Sequence, residues 1–128
     1  MSISSTLMDK VNLHLSREYP NEGCGVLIGT GHAVQDAIPC TNIWDGPRHK
    51  GYEIGKTDIA LATAQAKLRG MQVVGFYHSH PDKPDTWSAT DAEYTRKGML
   101  YLVTSVCMGK ACHTSVYLNG TLVGERLL

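Results

Sequence analysis

A chain of 128 residues, 42% apolar and 19% charged, is long enough to bury roughly two thirds of its unfolded surface around one core. Twelve basic residues balance twelve acidic ones, which argues against a disordered polyelectrolyte and against a surface built to hold a polyanion, so nucleic acid is not an expected partner. No apolar run approaches the ~20 residues that cross a bilayer, so no membrane is expected either.

Met1 to Leu15 lacks a basic segment followed by an unbroken apolar one and does not read as a secretory signal. Together with four cysteines, Cys24, Cys40, Cys107 and Cys112, none in C-x-x-C spacing, this predicts reduced thiols in a cytoplasmic protein. Leu7, Met8, Val11 and Leu15 recur at helical spacing and Pro20 closes the segment, predicting a helix over about 5–18. His14 borders that stripe as a packing or surface residue and is assigned no role. Cys24 to Gly29 is short, apolar and bounded by glycines, as a buried strand is, and a second strand is predicted over Ala33 to Pro39. Cys40 to Tyr52, with Trp44, Gly46, Pro47, Arg48 and His49, predicts a long loop or a distorted hairpin.

Thr57 or Asp58 is the expected cap of a second helix running through Leu68 and ending at Gly70. Gln72 to His80 is nearly continuous in β-formers, the pattern of a central strand covered on both faces, and Pro81 ends it. A third helix is expected from Ser88. Leu100 to Val106, Ala111 to Leu118 and Thr121 to Leu127 read as closing strands, with turns at Gly109 and at Asn119-Gly120. No repeat, linker or low-complexity tract interrupts this, so residues 1–128 are expected to form a single α+β domain with helices packed on its sheet.

The chemistry concentrates in His78-Ser79-His80-Pro81-Asp82-Lys83-Pro84-Asp85 and in Ser88 to Asp91. In a strand, side chains two apart share a face at a separation of roughly 7 Å, so His78 and His80 can converge on one ion while Ser79 points away. Imidazole favours zinc among common ions, and a catalytic zinc takes three protein ligands. Asp82, Asp85 and Asp91 are the candidates for the third, and spacing alone leaves them open. Asp82 would complete a His-x-His-x-Asp of the metallo-β-lactamase kind, but that pattern continues with a histidine where this chain has Lys83, and its two-layered fold needs a longer chain. Asp91 falls on the first turn of the helix opened by Ser88, where Ser88-x-x-Asp91 is equally a capping box.

Taken together, Glu22, His78-Ser79-His80, Ser88 after seven intervening residues and Asp91 after two more resemble the JAMM signature of the MPN+ metallopeptidases. "YPNEGCGVLIG" (Tyr19 to Gly29) is similar to the surroundings of its first half and "VVGFYHSHPD" (Val73 to Asp82) to those of its second. The resemblance extends from the first helix to the strand after Met99, and the short format is similar to bacterial and archaeal members. It implies an MPN/JAB fold, cytidine-deaminase-like, with a curved mixed β-sheet and flanking helices. It also implies Zn2+ held by His78, His80 and Asp91, Glu22 acting through the bound water as base and then acid, and Ser88 stabilising the oxyanion. The implied reaction is hydrolysis of an amide after the C-terminal glycine of a ubiquitin-like or sulfur-carrier protein ending in Gly-Gly, as a peptidase or isopeptidase. Trp44, Arg48, His49 and Trp87 are candidates for the substrate groove or for packing, and the oligomeric state stays open, a homodimer included. A non-catalytic MPN scaffold would be expected to lack one or more of the five residues. A zinc nucleoside deaminase needs His-x-Glu and Pro-Cys-x-x-Cys, which the spacing of Cys107 and Cys112 does not provide.

Overall fold

The structure is a computed structural model and describes residues 3–31, 33–93 and 95–127, apart from the side chains of Arg126 and Leu127. In chain order the elements are α1 (Ser5–Glu18), β1 (Cys24–Thr30), β2 (Ala33–Cys40), α2 (Lys56–Leu68), β3 (Gln72–Pro81), α3 (Ala89–Glu93), β4 (Leu100–Cys107), β5 (Lys110–Leu118) and β6 (Thr121–Leu127). The strands form one curved sheet in the order β2-β1-β3-β4-β5-β6. Only β3 and β4 run parallel, joined by the crossover that contains α3; the other neighbours are antiparallel.

Ser4 caps α1, its Oγ accepting the Leu7 N–H at 3.1 Å. The predicted stripe Leu7, Met8, Val11 and Leu15 is buried against Leu27, Ala37, Tyr77 and Leu102 on one face of the sheet. His14 shares a hydrogen bond with the Tyr77 hydroxyl at 2.7 Å, a packing role. The opposite face carries α2, whose buried Ala62 and Ala66 pack with Val26, Ile28, Phe76, Tyr101 and Val103. The expected cap of α2 is corrected. The helix starts at Lys56 after Gly55, without a side-chain cap, because the Asp58 carboxylate accepts the Thr41 N–H (3.0 Å) and ties the first turn to the end of β2. It ends as expected at Gly70, whose φ of 69° is the left-handed conformation glycine adopts freely.

β3 lies between β1 and β4 and is buried from Val74 to His80. Phe76, His78 and His80 alternate with Tyr77 and Ser79, so the histidines face the α2 side. Tyr77 presses on β1 so closely that a Cβ at Gly25 would sit 2.1 Å from its ring, which reserves that position for glycine.

The closing hairpins turn at Met108-Gly109 and Asn119-Gly120, all four residues at positive φ, as two-residue type I′ loops require. The first corrects the cysteine expectation: Cys107 and Cys112 form a disulfide, and only Cys24 and Cys40 are free thiols. The spacing hid this because β4 and β5 change register between Ser105↔His113 and Val106↔Ala111. Cys112 is therefore the extra residue of a bulge, and regular pairing would not bring its sulfur to Cys107. Among the described residues no helix is long and apolar enough to cross a membrane.

Candidate metal centre and its cleft

The C-terminal half of β3 delivers two imidazoles to one point. His78 is fully buried and stacks on Tyr52, centroids 4.4 Å apart; its Nε2 lies 3.2 Å from Nε2 of His80. The Asp91 carboxylate comes from α3 to meet both, Oδ1 at 3.1 Å from His78 Nε2 and Oδ2 at 3.2 Å from His80 Nε2. His80 Nδ1–H donates to the Pro84 carbonyl at 2.8 Å, which leaves the lone pair of a neutral ring on Nε2, aimed at the other two groups. Two imidazole nitrogens and a carboxylate thus converge on one point, a set that suits the nitrogen and oxygen donors of a transition-metal site.

The local electrostatics follow from burial and contact. Burial lowers the pKa of His78, against the contact with Asp91. Burial alone would lower His80 too, but Asp91 and the Pro84 carbonyl outweigh it and the net direction is up. For Asp91, burial acts upward, yet the two imidazoles hold the carboxyl well below its usual range.

Glu22 stands beside this cluster, at the entrance to β1. Its backbone is gripped from both sides: its N–H donates to the Arg48 carbonyl (2.7 Å) and its C=O accepts from Asn42 Nδ2 (2.9 Å). The next residue is held by the central strand, Gly23 N–H donating to Ser79 Oγ (2.8 Å) and Ser79 N–H to the Gly23 carbonyl (3.1 Å). One Glu22 carboxylate oxygen lies within 4.8 Å of nitrogens of His78 and His80, while Asp91 is in contact with both rings. Only 3% of Glu22 is exposed, and burial pushes its pKa up to about 7 despite His80 and the Lys83 ammonium, which lies 3.7 Å away.

The capping box that the sequence offered as an alternative for Ser88 is formed. Asp91 N–H donates to Ser88 Oγ (2.9 Å) and Ser88 N–H to Asp91 Oδ2 (3.1 Å). The same carboxylate that closes the box therefore faces the histidines, and the box fixes its rotamer. The Ser88 hydroxyl accepts in the cap, so its own proton remains available to a neighbour.

Glu22, His80, Ser88 and Asp91 line one cavity of about 500 Å³, whose other walls include Trp44, Tyr52, Phe76 and Arg96. Of the four groove candidates only Trp44 is in that lining. Arg48 acts through its carbonyl on Glu22, His49 is exposed outside the lining, and Trp87 packs on Tyr101 and Tyr117 at 5.2 and 5.0 Å. The other two aspartates point elsewhere. Asp82 is exposed and accepts from the Tyr19 hydroxyl (2.5 Å) and Met108 N–H (2.7 Å); Asp85 is buried against Ser115 and His113. Asn42, Tyr52 and the Pro84 carbonyl escaped the sequence reading. Ser79 carried a usable signal, since a residue between two same-face histidines must serve the opposite face.

The family of prokaryotic homologs of the JAB domain matches residues 4–117. A desampylase of Haloferax volcanii is 33% identical over 112 residues, covering 82% of this chain and 80% of its own. A probable TtuB-protein conjugate cleaving protease of Thermus thermophilus is 29% identical over 97 residues, 76% of this chain and 64% of its own, so the chain spans just under two thirds of that relative. The solution structure of a protein from Salinibacter ruber superposes with a TM-score of 0.74 at 33% identity, covering 100% of this chain and 90% of that one. The family match runs from the N-cap of α1 almost to the end of strand β5, and this chain belongs to the prokaryotic JAB-domain branch of the JAMM/MPN hydrolases.

Proposed function

We propose that residues 1–128 act as one zinc-dependent peptidase or isopeptidase domain, cleaving the amide after the C-terminal glycine of a ubiquitin-like or sulfur-carrier protein ending in Gly-Gly. The observation that carries this reading is the convergence of His78, His80 and Asp91 beside a buried Glu22 whose pKa stands near neutrality. His78, His80 and Asp91 would hold the metal, and a zinc ion there would supply a Lewis acid and bring the pKa of its water down to about 7. Glu22, close to the histidines but outside contact with them, takes the proton of the attacking water and returns it to the departing amine nitrogen. Ser88, oriented by its cap, donates its hydroxyl proton to the oxyanion that develops on the scissile carbonyl. Lys83 keeps Glu22 in its ionised form for part of the population at pH 7.

The substrate class is supported by the two relatives, one called a desampylase and the other a cleaver of protein conjugates. It is supported also by Trp44 and Tyr52 in the cavity wall, which favour a tail with little bulk beside the bond. The same reading includes a cytoplasmic location and a homodimer as one working form. The experiment is mass spectrometry of products from candidate ubiquitin-like proteins extended past the last glycine by a peptide or joined to a lysine side chain. Scission directly after the glycine is expected, and replacing that glycine by valine abolishes it. Equal cleavage of glycine and valine variants would overturn the assignment.

A further inference from the structure

The connection from β3 to α3 sits between the two histidines and Asp91, and from residue 82 to residue 88 it has neither helix nor strand. Even so, three consecutive carbonyls in it are held. Ser105 Oγ donates to Lys83 O at 2.6 Å, His80 Nδ1–H to Pro84 O at 2.8 Å, and the Tyr117 hydroxyl to Asp85 O at 2.9 Å. Asp82, Lys83, Pro84 and Thr86 are exposed; Asp85 alone among these neighbours is buried. Its Oδ2 accepts the Ser115 hydroxyl at 2.6 Å and is in contact with Nδ1 of His113.

A carboxylate taken out of water on an irregular segment is costly unless its partners are fixed. Here they are fixed: His113, Ser115 and Tyr117 are alternate residues of β5 and project from one face of a strand. All three converge on Asp85, two on its side chain and one on its backbone. β5 pairs with β4 and β4 with β3, so the sheet that presents the histidines also carries the rack for the segment beyond them. The residue before Asp85 supplies the single protein acceptor seen at His80 Nδ1.

We propose that Asp85 is a positioning residue for the metal centre: clamped by His113, Ser115 and Tyr117, it holds the Pro84 carbonyl where it fixes the tautomer and ring plane of His80. This rests on the reading of His80 as a metal ligand. Released from β5, the Pro84 carbonyl leaves Nδ1, and the ring is free to rotate or to carry its proton on Nε2, where it cannot bind an ion. Loss of such a supporting partner typically weakens metal binding about 10- to 100-fold.

The test combines zinc affinity, measured by competition with a chromogenic chelator, with long-range ¹H–¹⁵N spectra of the histidine rings in the zinc-free full chain. Asp85→Ala is expected to weaken zinc about 10- to 100-fold and to erase the Nδ1–H signature of His80. Asp85→Asn, which keeps an acceptor oxygen, recovers most of the affinity. His113→Phe and Tyr117→Phe spare the loop's own sequence and decide the matter if Asp85→Ala does not fold; each is expected to move both readouts in the same direction by a smaller factor. Asp36→Asn, which loosens the far edge of the sheet, controls for lost stability and leaves both unchanged. Wild-type zinc affinity and an intact His80 signature in all these loop and rack variants, with only the melting temperature lowered, would overturn the proposal. If His80→Ala binds zinc as tightly as wild type, the metal assignment fails instead, and the His80 spectrum still reports whether Asp85 sets the tautomer.

Discussion

Glu22→Gln is expected to make the zinc-free protein more stable at alkaline pH while removing its activity. The two side chains are nearly isosteric, and only 3% of Glu22 is exposed, so the change is one of charge. The folded carboxyl has a pKa of about 7, raised from its ordinary 4.5 chiefly by burial. The folded state therefore holds the proton more tightly than the unfolded chain does. Below pH 4.5 both states are protonated and glutamate costs nothing; as pH rises towards and past 7, the folded state must carry a charge that its surroundings disfavour. At about 1.36 kcal/mol per pH unit over that gap of roughly 2.5, the ionised side chain costs about 3 kcal/mol at pH 9. Glutamine has no such cost, so its advantage over glutamate is near zero at pH 4, grows through pH 5–7, and levels off near 3 kcal/mol. Urea titrations of chelator-treated wild type and variant at pH 4, 6 and 9 measure this directly, and a substrate assay on the zinc-loaded proteins measures the other half. Loss of acid–base help is expected to slow turnover about 10²- to 10⁴-fold with zinc content unchanged. A stability difference independent of pH, or wild-type turnover in Glu22→Gln, would refute the reasoning.

His78→Ala, His80→Ala and Asp91→Ala should each lose stoichiometric zinc by elemental analysis; full retention in all three would sink the ligand set. Ser88→Ala should keep zinc, slow catalysis by roughly 10² to 10³, and lower stability by about 1 kcal/mol through loss of the helix cap; a stability loss with unchanged rate would leave the cap as its whole role. Asp36, on edge strand β2, receives Lys10 from α1 (2.9 Å) and Arg69 at the end of α2 (2.6 Å), clasping helices of opposite faces together. Burial acts upward on its pKa, but these two cations and the Ala37 N–H bring it down to about 2. With a quarter of the carboxylate exposed, screening leaves a contribution of about 1 kcal/mol, present above pH 4 and lost as pH falls through 2; Asp36→Asn melting at pH 7 and pH 2 should show the cost only at the higher pH.

Much of this protein is written locally. Leu7, Met8, Val11 and Leu15 repeat every third or fourth residue, so α1 and its buried face follow from periodicity alone. Asn119-Gly120 calls for a turn with positive φ wherever it stands. The β-forming run into His78-Ser79-His80 announces a central strand, and a period of two puts both imidazoles on one face before any neighbour is known. The family signature, too, is a matter of residue type and spacing. What these signals lack is distance across the chain. Asp82, Asp85 and Asp91 have the same side chain and all follow His80 within 11 positions, and they are told apart by what the fold brings to each: Tyr19 and Met108, the β5 side chains, and the two rings themselves. The Asp58 carboxylate left its expected cap because β2 ends beside it, and Cys112 reached Cys107 because a bulge displaced it. Grip on Glu22 comes from Arg48 and Asn42, and on Gly23 beside it from Ser79, 56 positions along the chain. Such choices depend on register and on which backbone carbonyl ends up next to which ring, and those are set when the sheet closes and buried polar groups must find partners in three dimensions.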